Sequence, residues 1–184
     1  MHPEATANLL RSRRTIHLFR PDPPARELVD EAIALACWAP NHRLTEPWRF
    51  CWVGPETWQA IAELNAQLVS EKRGKDAAAA KLKRWLAVPG VVLVTCIRSE
   101  DPVRDEEDYA ATACAVHNMA LFLWSHGVGT KWSSGSVTRH PMFYRLFDID
   151  PTIERVVGLI WYGYPDKVPA TQRKPLEAVY RAVP

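Results

Sequence analysis

Leu10-Arg11-Ser12-Arg13-Arg14-Thr15-Ile16-His17-Leu18-Phe19 sets arginines, hydroxyls and an imidazole between apolar residues on both sides. Arginine offers a rigid fork of donors that matches phosphate or carboxylate, and a neighbouring hydroxyl can add a short bond to the same anion. Two readings of this window are open: a solvated charge run at the end of a short helix over residues 4–12, or a clamp for an anionic ligand. The rest of the chain has to decide between them.

The window opens a chain of 184 residues with a formal net charge of +2 and 47% hydrophobic residues. That suits one domain over 1–184 with a sizeable core, and an extended arm over 165–184. Apart from the opening cluster the basic residues are dispersed, which argues against a nucleic-acid surface. Met1-His2-Pro3-Glu4 lacks a basic start followed by an apolar stretch, so no secretory signal is expected. The longest clean apolar run, 91–97, is far too short to span a bilayer. A soluble, cytoplasmic protein without membrane contact is the expectation. Cys37, Cys51, Cys96 and Cys114 form no Cys-x-x-Cys pair and sit in apolar segments. Neither a disulfide framework nor a zinc site is expected. The 8 tryptophans are spread over the whole chain, most of them expected as core or interface anchors.

Outward from the window, Pro21-Asp22-Pro23-Pro24 breaks the chain, and the spacing of Leu28, Val29, Ala32, Ile33, Leu35 and Ala36 predicts a helix over 25–38. A polar loop with two prolines, 39–47, leads into a bulky strand over 48–53. Helical patterns follow over 55–73 and 76–86, the second alanine-rich and basic toward its end. Together they are expected to cover the core, with some mobility. Gly90 opens a strand over 91–97. The acidic run 101–108 precedes a long helix over 109–126, where acid at a helix N-terminus is favourable on dipole grounds alone. That helix is apolar nearly all round, which predicts a partner subunit on one side. Cys114 and His117 could share a face of it; a buried, hydrogen-bonded His117 is expected rather than a metal ligand. Gly127-Val128-Gly129 ends the helix. A short strand then runs into the turn Ser133-Ser134-Gly135, a short helix follows over 138–146, and a strand covers 155–162, where Gly158 and Gly163 mark close approach or a bend.

No Gly-x-Ser-x-Gly elbow, Walker loop, Gly-x-Gly-x-x-Gly turn or His-Glu-x-x-His pair is present. The chain has few groups for chemistry of its own, yet several that could hold an anionic, planar cofactor, for which proteins supply position and electrostatics. At this point it resembles a family. Arg13-Arg14-Thr15-Ile16-His17 after a first helix, Ala39-Pro40-Asn41-His42 with Pro47-Trp48-Arg49-Phe50, Gly127-Val128-Gly129 with Trp132-Ser133-Ser134-Gly135, and Gly163-Tyr164-Pro165 with Arg173-Lys174-Pro175-Leu176-Glu177 follow, in order, the signatures of the FMN-dependent nitroreductases, in particular their short branch.

The resemblance implies an α+β fold with a central, mostly antiparallel sheet flanked by helices. It implies a homodimer with FMN between subunits and a C-terminal arm exchanged between them. By carry-over, Arg13 and Thr15, with Arg14 beside them, would hold the FMN phosphate and ribityl region, and Arg173 with Lys174 would complete the phosphate site. Trp38 and His42 would line the pocket, and Trp132, Ser133 and Ser134 would approach from the partner. His17 stands where the family often has a cation near the flavin pyrimidine edge, and Ser133 stands where it has arginine. Both departures predict a flavin with less cationic support, and one that varies with pH if His17 titrates near 6.5. The implied activity is ping-pong transfer of hydride from NAD(P)H through flavin N5 to a nitroaromatic, quinone or activated enone. No protein nucleophile is required, and His42 is a candidate proton donor. The same scaffold could serve enone or aldehyde reduction, and a flavin-storage protein without turnover is the alternative from another class.

Overall fold

β2, Gly90–Ile97, is buried along almost its whole length because both faces of the sheet it centres are covered. The computed structural model describes residues 3–183; Met1 and His2 of the opening quartet and Pro184 of the arm lie outside the described residues. β1 (Trp48–Trp52), β2, β3 (Gly129–Ser133) and β4 (Glu154–Gly163) form one antiparallel sheet in the order β1-β2-β4-β3. Alternate side chains go to opposite faces. Val92, Val94, Cys96, Ile160 and Tyr162 meet α2 (Arg26–Ala36) and α5 (Pro102–Ser125). Val91, Leu93, Leu159 and Trp161 meet α3 (Pro55–Arg73), α4 (Lys75–Leu86) and Phe143 of α6 (Pro141–Leu146). Two separate hydrophobic layers therefore sandwich one sheet, the α+β architecture the sequence implies.

The α3–α4 hairpin is tied down at its base. Trp58 stacks on Trp85 with centroids 5.1 Å apart and planes 7° from parallel, and Trp161 of β4 meets both rings edge-on. The Trp58 indole N–H donates to the Trp85 carbonyl at 3.0 Å. Each such indole buries roughly 150–250 Å². The α3–α4 hairpin is thereby joined to β4 at this end.

Two boundaries differ from the sequence reading. α5 begins at Pro102, not near Tyr109: Asp101 caps it, accepting from Val103 N at 3.0 Å, and proline suits the first turn. The acidic run is therefore helix, and its members have particular partners. Asp105 pairs with Arg155 at 3.2 Å, Glu107 meets His42, and the buried Asp108 accepts from the Thr45 hydroxyl. Near residue 138 the chain forms a short 3-10 turn, Ser136–Arg139, and only Pro141–Leu146 is α-helical, since Pro141 forbids a continuous helix. α1 (Pro3–Ser12) packs on α5. No helix among the described residues is long and apolar enough to cross a membrane.

Candidate active site

β3 would be an exposed sheet edge, but residues 13–20 lie along it. Ile16 N donates to Thr130 O at 3.0 Å, and Thr15 bridges Thr130 in parallel. The other side of the segment is held by the start of the arm: Asp166 N donates to Leu18 O at 3.0 Å and Arg20 N to Tyr164 O at 2.8 Å. Ile16 is the peg of this arrangement. It is fully buried against Gly129, where any Cβ would collide with it. With Ile16 pinned, Thr15 and His17 open onto two different hollows.

The first hollow, about 220 Å³, is lined by Arg13, Thr15, Thr130, Trp132 and Ile160, with Val116, His117 and Ala120 from α5. The Trp132 indole is 38% exposed and held by its N–H, which donates to Val157 O at 3.0 Å. The half-buried Arg13 guanidinium has no hydrogen-bond or ion-pair partner among the described residues. Its pKa is lowered from the ordinary value by burial, then by the charges of Arg173 and Arg14. Arg14 itself is turned back, donating to the carbonyls of Arg11 and Arg13 at 2.6 and 2.9 Å, so it adds charge more than a free fork. The unpaired Arg13 guanidinium beside a hydroxyl and an indole is chemically suited to seat an anion next to a planar surface.

His17 lies in the second hollow, about 350 Å³, with Leu18, Phe19, Ala80, Lys83, Arg84, Ala87 and Val88. Burial, then Lys131, then Arg84 push its pKa below 6.5. The neighbouring cations disfavour the imidazolium form of His17. Lys131 and Arg84 stand within electrostatic reach of it.

The other carried-over residues divide. Trp132 shares a hollow with Arg13 and Thr15 inside one chain, so no partner is needed to bring it there. Ser133, next along β3, takes the other face with Lys131, and Ser134 is exposed at the turn. Arg173 and Lys174 lie on the exposed arm. Trp38, at the end of α2, is 83% exposed and lines none of these hollows. His42 is exposed too, and its Nδ1 lies 2.8 Å from Glu107 in a small polar hollow with Arg43, Asp101 and Arg104. The chain does not bring Trp38 and His42 to its own Arg13.

One expectation about α5 is corrected. His117 is not a buried core histidine: it is exposed and lines the Arg13 hollow. Its neighbour one turn back, Cys114, is exposed as well, and no metal-ligand cluster exists among the described residues. Thr130, Lys131 and Arg84 were also missed. Alternation along Thr130-Lys131-Trp132 was the available signal, since it sends Thr130 and Trp132 to one face and Lys131 to the other.

A chain with this sheet and this seat has known counterparts. The model of the nitroreductase family matches residues 10–164. YfhC of Bacillus subtilis (strain 168), provisionally named an NAD(P)H nitroreductase, is 32% identical over 171 residues, covering 91% of this chain and 88% of that protein. The crystal structure of a nitroreductase-like family protein from Bacillus cereus superposes with a TM-score of 0.83 at 30% identity, over 96% of this chain and 95% of that one. At 15% identity the fold is still shared with the FMN-dependent nitroreductase NfnB of Mycobacterium smegmatis in complex with NADPH, TM-score 0.79, over 98% and 99% of the two chains. The matched span runs from the basic window through the whole sheet to Tyr164, and by that span and that identity the chain belongs to the nitroreductase family.

Proposed function

We propose that the chain is an FMN-dependent oxidoreductase that uses NAD(P)H to reduce an electron-poor acceptor: a nitroaromatic, a quinone or an activated enone. The observation that carries this reading is the half-buried, unpaired Arg13 guanidinium beside Thr15 and the fixed Trp132 indole, with Arg14 and Arg173 close enough to repel it. An anion seated among these guanidiniums would relieve their mutual repulsion. Bound FMN would supply the hydride relay through its N5, with a ping-pong exchange of nucleotide and acceptor. Arg13 and Thr15, with Arg173 and Lys174 from the arm, would hold the phosphate, and Trp132 would pack beside the planar part.

The hollow of about 220 Å³ falls below the usual 300–1,000 Å³ of a closed ligand pocket, so one chain makes part of a site. A second copy would complete it, bringing Trp38 and His42. Glu107, at 2.8 Å, orients the His42 ring, which suits it to deliver a proton from the far side. The test is direct. The purified protein is expected to be yellow or to take up FMN, and NADH or NADPH added without oxygen is expected to bleach it. A colourless protein that refuses FMN overturns the reading, and a yellow one that neither nucleotide bleaches is a storage protein.

A further inference from the structure

Another hollow, about 360 Å³, opens where β1, β2 and β4 meet the start of α3 and the end of α4. It shares no lining residue with the Arg13 hollow and only Val88 with the His17 hollow. Its volume lies within the usual range for a small-molecule site. No Asp, Glu, Lys, Arg or His lines it. Its aromatic walls are fixed by their neighbours. Trp58 is stacked on Trp85, and its indole N–H is already engaged. Trp52 has the Arg26 guanidinium 4.5 Å from its centroid and the Tyr162 ring at 5.8 Å, tilted by 58°.

Tyr162 is the anomaly in this lining. The residue is 1% exposed, yet its hydroxyl has no hydrogen-bond partner among the described residues. A buried phenol ordinarily has one. The tip of the ring lies over Gly90, a wall residue at which any Cβ would collide with the phenol. Glycine there makes room for the hydroxyl end of the ring. Burial pushes the phenol pKa up, so the group keeps its proton and can both donate and accept. Gln59, at the exposed rim, already donates to Glu63 at 2.9 Å.

We propose that this hollow binds a small, uncharged aromatic molecule carrying one hydroxyl or carbonyl, its rings against Trp52 and Trp58 and its oxygen on the Tyr162 hydroxyl. A charged ligand is disfavoured, because nothing in the lining offsets the loss of its hydration. A ligand without a polar atom leaves the phenol unpaired, so the hydroxyl selects against it. The site is separate from the one proposed for FMN and stands whether or not that reading holds.

The experiment is equilibrium dialysis of the whole purified chain, before and after loading with FMN, against three probes of similar size: 2-naphthol, naphthalene and 2-naphthoate. 2-Naphthol is expected to bind saturably, with the same affinity in both preparations, and at least about tenfold more tightly than the anionic naphthoate. Tyr162→Phe keeps the ring and removes only an unpaired hydroxyl, so its Tm should not fall. It is expected to lower the preference for 2-naphthol over naphthalene by about tenfold while leaving naphthalene binding unchanged. Leu86→Trp, at the 47% exposed rim, should weaken 2-naphthol and naphthalene alike. Absence of saturable 2-naphthol binding overturns the inference, and a hollow filled by water alone or by the arm of a second copy gives that result. Displacement of 2-naphthol by FMN puts the probe in the flavin site and overturns it too, with the flavin reading intact. An unchanged preference in Tyr162→Phe does the same. If that variant fails to fold, the ranking of 2-naphthol against naphthoate in the wild type and the Leu86→Trp result decide.

Discussion

At the scale of single residues, Arg13 is where charge, burial and missing partners coincide. Replacing it with alanine removes a charge-assisted, two-pronged contact, so FMN affinity should fall roughly tenfold to a hundredfold in a fluorescence titration. Arg13→Lys keeps the charge without the fork and should recover only part of that loss. Arg11→Ala should change nothing, because Arg11 contributes only its carbonyl, to Arg14. Lys131 makes a different prediction. Its ammonium is held to about 8, against the ordinary 10.5. Between those values the unfolded chain binds the proton that the folded chain has released, so stability rises with pH across the window. Below pH 8 both states are charged and the repulsion is fully present. The Tm of the wild type relative to Lys131→Met should therefore climb from pH 8 to pH 10 and stay level from pH 6 to pH 7. A flat difference throughout would show that Lys131 is not held down. The groups facing it are His17 from the edge segment, Arg84 and Lys81 from α4, and the Trp161 ring from β4. At this scale the grouping of Arg13 with Thr15 in one hollow was legible because their motif is local. His117 and Lys131 were not, since their roles depend on which elements pack across the sheet.

At the scale of elements, hydrophobic spacing found every helix and strand of the core, because each buries a stripe against one of two layers. What it missed has specific causes. The start of α5 was hidden because its first turns are acidic and their partners, His42, Thr45 and Arg155, lie far off in sequence. The 39–47 loop contains no glycine, yet Arg43, Leu44 and Glu46 all have positive φ. Each such residue costs about 1–2 kcal/mol. Asn41, which bonds Ala39 O and Glu46 N, and the Thr45–Asp108 and His42–Glu107 bonds hold the loop in that shape. Gly158 shows the same economy in a strand. Its sequence position marked close approach, and the structure supplies the neighbour: a Cβ there would strike the Trp132 indole and lie 3.1 Å from Ser133 O. Gly158→Ala should push the indole off its Val157 bond, cost about 1–3 kcal/mol in denaturant unfolding and weaken FMN binding in parallel. Gly135→Ala, which meets nothing within 4 Å and has φ of −68°, is the control and should be silent in both measurements.

At the scale of the whole molecule, the arm is the part this chain cannot account for by itself. Leu176, Val179, Tyr180 and Val183 are 65%, 72%, 64% and 74% exposed, and no described residue beyond Pro169 in the arm is even half-buried. Isolated exposed apolar residues are ordinary, but a run of them on a chain that leaves its own domain is what a partner's surface would cover. Trp38 and Leu44, 83% and 80% exposed, offer apolar surface of the same kind elsewhere. Yet Arg173 on that arm is close enough to Arg13 to depress it, so in the proposed dimer the arm would have two separable duties, association and charge. Deleting residues 167–184 should remove both, giving a monomer in sedimentation velocity and a protein that no longer retains FMN. Leu176→Asp with Tyr180→Asp should dissociate the dimer while leaving Arg173 in place. Arg173→Ala should leave the dimer whole and lower FMN affinity by about tenfold. If the wild type sediments as a dimer and the deletion does too, the arm is not its tie, and the burden of association passes to α5 and the exposed end of α2; if the wild type sediments as a monomer, the proposed dimer itself is overturned.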